Sequence, residues 1–187
     1  LPLDLYNSLN EQQFLIQPST DCVFSGNSSK WYKHNQICDA IDDYGQSKRL
    51  GELSLLNKEK AFIIRVSIIG TDYHNNNPTG LLGWFLKNQP NNNINGYTNH
   101  LWNGISTLEW CKQVEEIILK NPNNDLYGKI IQLGTNEIRS KYELLLLFQK
   151  TFGTNFNISA FETDNNINRS LKPYFPSKNF ENQLNEL

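Results

Sequence analysis

The sequence predicts an α/β fold built on a parallel sheet. Phe14-Leu15-Ile16-Gln17 is a short apolar run that reads as a buried strand, and Ala61-Phe62-Ile63-Ile64-Arg65-Val66-Ser67 is a longer, β-rich one that reads as a strand buried on both faces. Between them a helix starts near Asp42 or Asp43. Strand, helix, strand in that order implies a right-handed crossover and parallel pairing. The alternation returns with an amphipathic helix over 105–120 and an apolar strand over 129–133. With 187 residues, 38% of them hydrophobic, the chain is large enough to bury a real core, as one domain or one and a fraction.

Taken in order, residues 1–12 read as the end of a helix, with Leu3, Leu5, Tyr6 and Leu9 at helical spacing. A strand follows over 13–18, with Pro18 better suited to its end than its middle. From Ser25 to Asp42 the composition turns polar, the mark of a long loop across the mouth of a site. Trp31 and Tyr32 within it fit either a functional or a packing role. The next helix has an aspartate cap and runs through Leu50, Leu53, Leu55 and Leu56 to about Lys58. Gly70 allows a tight exit from the strand after it. Gly80 to Asn88 reads as a helix that is apolar nearly all round (Leu81, Leu82, Trp84, Phe85, Leu86), so packing on two sides is expected. Ile94 to Tyr97 is a short extended piece. The helix over 105–120 should point Leu108, Val114, Ile117 and Ile118 inward and end at Asn121-Pro122. Ser140 to Phe152 is a further helix, with Ser140 and Glu143 spaced as a capping box and Gly153 as the stop. Phe156 to Phe161 reads as a last strand before a polar tail that carries Asn168-Arg169-Ser170-Leu171.

Composition removes several classes of function. The net charge is −2 and the basic residues are scattered, so no basic stripe exists for nucleic acid. No apolar run approaches the roughly 18 to 20 residues that cross a bilayer, and Leu1-Pro2-Leu3-Asp4 does not open like a signal peptide, so a cytoplasmic protein without a membrane partner is expected. Cys22, Cys38 and Cys111 are odd in number and form no CxxC pair, which points to free thiols rather than a disulfide framework or a zinc site. His34, His74 and His100 match no metal-ligand spacing. The Asn75-Asn76-Asn77 and Asn91-Asn92-Asn93 runs mark loops.

The residues with chemistry lie between Ser19 and Lys48. Ser19-Thr20-Asp21 sits at the carboxyl end of the first strand, where open α/β sheets place ligands. Tyr44 and Lys48 are spaced i, i+4, so on a helix they leave one face a turn apart. A phenol with an ordinary pKa of about 10 is a poor acid or base at neutrality, and a nearby ammonium is expected to favour its ionised form. Thr20 adds a neutral hydrogen-bonding group. The competing reading is a surface Tyr–Lys pair.

These segments resemble a known family. Ser19-Thr20-Asp21-Cys22-Val23-Phe24-Ser25-Gly26, Asp43-Tyr44-Gly45-Gln46-Ser47-Lys48 and Gly51-Glu52 are similar to the extended short-chain dehydrogenase/reductases, most of all the dTDP-4-dehydrorhamnose reductases and related nucleotide-sugar reductases. The likeness continues through Ile64-Arg65-Val66-Ser67-Ile68-Ile69-Gly70, Asn95-Gly96-Tyr97, Trp102-Asn103-Gly104 and Ile138-Arg139-Ser140-Lys141-Tyr142. It implies the C-terminal part of a Rossmann-like doubly wound parallel sheet plus a small α/β substrate-binding lobe. Residues 1–70 with 105–120 would form the partial NAD(P)-binding domain, and 71–104 with 121–187 the substrate lobe. It also implies a catalytic triad of Thr20, Tyr44 and Lys48, with Tyr44, Lys48 and Ser67 toward an NADPH or NADH cofactor. Substrate contacts would come from Thr20, Asp21, Cys22, Tyr97, Trp102 and Asn103, with Arg169 on a diphosphate. For Cys22 a packed side chain, for Trp102 a core position and for Arg169 a surface ion pair are the plain alternatives.

The resemblance has one gap. Such reductases open with a strand, a GxxGxxG turn and a helix that receive the dinucleotide pyrophosphate, and no such turn occurs in the sequence; Gly80 and Gly83 are the nearest pair. A fragment or half of a complementing pair is therefore expected, with a homodimer or a complementing N-terminal chain as partner. The activity implied is NAD(P)H-dependent reduction of a 4-keto-deoxysugar nucleotide. The alternatives are a non-catalytic regulatory or binding subunit and a nucleotide-sugar epimerase or dehydratase.

Overall fold

The strand–helix–strand unit is the centre of the computed structural model, which describes residues 1–28, 31–71, 80–88, 92–119 and 125–187. Helix α1 (Pro2–Asn7) leads into β1 (Leu15–Thr20), then α2 (Asp43–Leu55) and β2 (Ala61–Val66). Chain order continues with β3 (Ile68–Ile69), α3 (Gly80–Leu86), β4 (Asn93–Tyr97), β5 (His100–Trp102), β6 (Ile105–Ser106) and α4 (Thr107–Leu119). It closes with β7 (Ile130–Thr135), β8 (Arg139–Ser140), α5 (Lys141–Phe152), β9 (Asn157–Phe161), β10 (Ile167–Asn168), β11 (Phe175–Ser177) and α6 (Phe180–Leu184).

β1 and β2 pair in parallel, Leu15 opposite Ala61 through Thr20 opposite Val66. The main sheet has the order β1-β2-β7-β11, and each of its pairings is parallel. This is the mixed α/β architecture the sequence predicts. β2 is buried at all six positions, as a strand covered on both faces must be. Phe62, Ile64 and Val66 pack toward Ile105, Val114, Ile117 and Leu133, while Ala61 and Ile63 pack beneath Leu55 of α2. Pro18 falls inside β1 rather than at its end. β1 is an edge strand of the described sheet, where a missing N–H is tolerated.

A second core gathers Ile69, Leu82, Phe85, Trp102, Leu144, Phe148, Phe156 and Phe180. Beside it β4 pairs in parallel with β9, and β5 lies between β10 and β8. The capping box of α5 is present, and Gly153 ends that helix at φ 63. Several expectations need correction. α3 is packed on one side, with Leu82 and Phe85 buried and Trp84 47% exposed. Ile105 belongs to β6, so α4 starts at Thr107 and turns Leu108 outward. Glu109 and Gln113 are buried instead, where Gln113 Nε2 donates to Glu109 Oε1 at 3.0 Å. Phe161 does not end the last strand, because β10 and β11 follow it. The Asn75-Asn76-Asn77 run, His74, Asn91 and Asn121-Pro122 lie outside the described residues. β7 and β11 come from the stretch 121–187 yet extend the sheet of β1 and β2. We propose a division that follows pairing, with β1, α2, β2, α4, β7 and β11 in one lobe and α3, β4, β5, α5 and β9 in the other.

α2 is tied to the sheet by charge. Arg65 lies on the α2 face of β2, and both it and Glu52 are fully buried. Arg65 Nε and one terminal nitrogen each donate to Glu52 at 2.7 Å, giving two parallel charge-assisted bonds. Ser19 Oγ donates to the same carboxylate at 2.6 Å and Arg49 at 2.8 Å. Burial pushes the Glu52 carboxyl up, but the hydrogen bonds and charge of Arg65, with Ser19 and Arg49, outweigh it and hold Glu52 below its ordinary value. A carboxylate with a depressed folded pKa lends stability above its unfolded value and loses it as pH falls through the folded one.

Removing one member strands a buried charge. Glu52→Gln is expected to destabilise the fold by about 3–5 kcal/mol in urea denaturation, and Glu52→Gln with Arg65→Met by clearly less. A loss under about 1 kcal/mol in the single variant would show that the pair does not hold α2.

Candidate active site

Thr20 ends β1 and begins a short 3₁₀ turn, Asp21–Val23. Its hydroxyl accepts from the Cys22 N–H at 3.1 Å and donates to Asp21 Oδ1 at 3.0 Å. Tyr44 stands in the first turn of α2, which Asp42 caps by accepting from the Gly45 N–H at 2.7 Å. Gly45 is required by space: a Cβ there would lie 2.1 Å from the Cys22 carbonyl oxygen. The residue after Tyr44 therefore touches the turn after Thr20, which brings the two elements together. Lys48 follows on the same face, its Nζ 5.8 Å from the Tyr44 ring centroid and donating to the Pro18 carbonyl at 3.3 Å.

Thr20, Tyr44 and Lys48 thus meet at the carboxyl end of β1, with Tyr44 55% exposed. The electrostatics differ from expectation. The Tyr44 phenol is pushed above its ordinary value, by burial first and then by the Cys22, Asp21 and Asp42 groups; the Thr20 hydroxyl opposes this. Lys48 spends its contact on a backbone carbonyl rather than lowering the phenol. Asp21 is likewise raised by burial, against the pull of Thr20, Lys141 and Arg169. Burial also raises the Cys22 thiol, so it is a protonated group in a polar corner, half-buried and free.

Arg169 joins this corner. One terminal nitrogen donates to Cys22 Sγ at 3.3 Å, and the other stands 3.8 Å from Asp42. Its reach depends on Gly26, at φ +92, where a Cβ would come within 3.1 Å of the Arg169 side chain. The preceding loop is fastened by Asp39, which accepts from the Ser25 N–H at 2.8 Å and its hydroxyl at 2.6 Å. Tyr32 is packing: it is buried and stacked on Phe24 with centroids 4.1 Å apart.

Other candidates are occupied by the fold. Both amide hydrogens of buried Asn103 go to the carbonyls of Thr135 and Leu171, at 3.0 and 2.8 Å, and its oxygen accepts from the Leu171 N–H at 2.9 Å. Asn103 is a cross-link between strand ends rather than a substrate contact. Trp102 is in the second core, at the end of β5. Its indole N–H donates to Ser67 Oγ at 2.8 Å, which engages Ser67 as well.

Tyr97, by contrast, lines a cavity of about 450 Å³ with Trp84, Ile94, His100, Lys141 and Leu145. Lys141 reaches over the Trp102 ring at 5.6 Å and feels the charge of Asp21, so this cavity and the Thr20–Tyr44 corner are electrostatic neighbours. Trp84, His100 and Lys141 escape sequence reasoning because each looks like an ordinary helix or loop residue. The remaining signal is that Lys141 lies inside the Ile138–Tyr142 segment of resemblance. Among the described residues no group of three or more His, Cys, Asp or Glu is placed to hold a metal, and no helix is long and apolar enough to cross a membrane.

If Gly45 sets this geometry, Gly45→Ala must move α2 or the Thr20 turn. Destabilisation of about 1–3 kcal/mol, with a shift of the Tyr44 ring resonances in NMR, is expected. Unchanged stability and spectra would contradict the close approach.

The fold is shared with known proteins. Residues 8–93 match the family model described as the RmlD substrate binding domain. A dTDP-4-dehydrorhamnose reductase from Clostridium acetobutylicum superimposes with a TM-score of 0.76 at 17% identity, covering 92% of this chain and 64% of that one. A dTDP-4-dehydrorhamnose reductase from Bacillus anthracis, solved with NADP, gives 0.75 at 18% over 92% and 64%. The dTDP-glucose 4,6-dehydratase of the same organism, solved with NAD, gives 0.77 at 14% over 99% and 64%. A search of curated proteins finds no match. The chain thus spans 64% of the length of these enzymes. Over residues 8–93 it is similar to the RmlD substrate binding domain, and over most of its length it has the Rossmann-like fold of these nucleotide-sugar enzymes.

Proposed function

We propose that this chain is the catalytic and substrate-binding part of an NAD(P)H-dependent reductase of a 4-keto-deoxysugar nucleotide. The observation that carries the reading is the meeting of Thr20, Tyr44 and Lys48 at the open end of β1, within the stretch matched by the RmlD substrate binding domain. Reduction asks the fewest groups of the protein, namely one proton donor and one hydrogen-bond donor at a single oxygen.

The residues fit the nicotinamide-ribose end of the cofactor. Lys48 Nζ gives one hydrogen bond to Pro18, which leaves ammonium hydrogens for ribose hydroxyls. For the pyrophosphate the sequence offers no glycine-rich turn, and β1, an edge strand of the described sheet, is where we infer that such a half pairs, on the same polypeptide or another. When bound, the cofactor supplies the hydride. Tyr44 then donates its proton to the developing alkoxide, and its raised pKa keeps that proton in place through neutral pH. Thr20 turns its hydroxyl from Asp21 to the substrate oxygen, where it shares the developing charge with the Tyr44 phenol. Arg169, Asp21 and Cys22 line the approach for the sugar, with Tyr97 farther along it.

With NADPH, a 4-keto-6-deoxysugar nucleotide and a glycine-rich half supplied, Tyr44→Phe should lower kcat by about 10²–10⁴ with an unchanged melting temperature. Near wild-type turnover would remove Tyr44 from the chemistry. In the wild type kcat should fall on the alkaline side only above about pH 10, where the phenol loses its proton. An alkaline limb near neutrality would mean that another group is the donor.

A further inference from the structure

Lys141 lines the cavity of about 450 Å³ between α3, β4 and α5, in a position that suits a neutral amine better than an ammonium. It is the first residue of α5, a 12-residue helix, and the aligned peptide dipoles at that end repel a cation. Glu143, the acid in the same turn, is committed to the Ser140 N–H and hydroxyl at 2.6 and 2.8 Å. Among the described residues Lys141 forms no hydrogen bond or ion pair; its contact is the Trp102 ring face at 5.6 Å, near the roughly 6 Å limit of cation–π attraction. Asp21 and Cys22, in the turn after β1, favour the ammonium, but burial outweighs them and pushes Lys141 below the ordinary lysine value. The other titratable groups at hand bring no negative charge: burial, then Lys141 and Arg169, hold His100 of β5 below the ordinary imidazole value. An ammonium taken out of water and left without a partner gives up its proton more readily, and the amine that remains is a nucleophile toward carbonyl carbon.

The cavity can admit an electrophile to that amine. Its volume is within the range of small-molecule sites. Ile94 and Leu145 give it an apolar wall, and the half-exposed rings of Trp84 and Tyr97 stand at its rim. Flat apolar surfaces of this kind hold an aromatic ring. Among the described residues that line the cavity, Lys141 is the one primary amine, and none is an Asp or Glu.

We propose that Lys141 is a site of covalent modification by aromatic aldehydes: the cavity seats the ring, and Lys141 Nζ joins the aldehyde carbon as an imine. In that step the neutral amine attacks the carbonyl carbon, the carbon–oxygen double bond is replaced by a carbon–nitrogen double bond, and both amine protons leave with the oxygen as water. No oxidant, reductant or cofactor is consumed. The inference stands apart from the reductase reading, because it needs neither Tyr44 nor a bound nucleotide.

The test uses the chain as it stands, without cofactor or turnover. The protein is treated with 2-hydroxybenzaldehyde and cyanoborohydride, which delivers hydride to the imine carbon and fixes the adduct as a secondary amine, and the label is located by peptide mass mapping. At about pH 7 Lys141 should be labelled about fivefold or more faster than exposed Lys33, and the lead should shrink toward alkaline pH as ordinary lysines lose their protons. Propanal, which has no ring, should show at most about half that lead, and an equal lead would overturn the aromatic class. In denaturing urea the preference should vanish. Labelling of Lys141 no faster than that of Lys33 in the folded protein overturns the assignment. A preference that survives unfolding also overturns it, since the local sequence and not the cavity would then be its cause. Tyr44→Phe should be labelled like the wild type, so failure of the reductase chemistry and failure of this site give different results.

Discussion

The buried pair of Glu52 and Arg65 is the constraint on which the remaining geometry depends. It joins the middle of α2 to the centre of β2, and through Ser19 the same carboxylate also holds the end of β1. Three elements are thus fixed at one carboxylate. The stability gained from such a pair is small relative to its desolvation cost, but its geometry is demanding, because a bidentate guanidinium tolerates little rotation of the helix. Arg65 Nη1 also donates to the His34 carbonyl at 3.2 Å, and its plane lies over the Phe24 ring at 5.1 Å, so the loop that crosses the site is referred to the same point.

From that point the corner at Thr20 follows by short steps. Asp42 starts α2, Gly45 lets its first turn touch the Cys22 carbonyl, and Tyr44 is left beside the Thr20 hydroxyl. Asn103 plays the equivalent part between the two lobes, linking the ends of β5 and β7 to the segment that carries Arg169. The substrate end of the site is therefore built by polar cross-links and the helix end by an ion pair, with the apolar cores behind both.

Much of this was legible in the sequence, for physical reasons that differ by element. The i, i+4 spacing of Tyr44 and Lys48, the aspartate before them and the Ser140–Glu143 box are local signals, decided within one helical turn. β2 was legible because a strand covered on both faces must be apolar at every position. What was hidden depends on distant partners. Leu108 looks like a core residue until β6 takes Ile105 and starts the helix at Thr107, which turns Glu109 and Gln113 inward to satisfy each other. The tail reads as polar, yet Phe175–Ser177 completes the main sheet because β7 offers it an open edge. The acidity of Tyr44 was misjudged because Lys48 turns to the Pro18 carbonyl, leaving burial and nearby acidic groups to set the phenol. Lys141 could not be seen as a cavity residue before α3 and β4 were placed opposite it.

By fixing α2 against β2, the Glu52–Arg65 pin sets the surroundings of Tyr44 in the first turn of that helix. Its most direct test is an NMR titration of the Tyr44 ring, with ¹³C at the phenolic carbon, in the wild type and in Glu52→Gln at a temperature where both are folded. A wild-type midpoint above the ordinary phenol value is expected, with a return toward that value in Glu52→Gln as α2 loosens. A wild-type midpoint at or below the ordinary value, or one indifferent to Glu52, would contradict it.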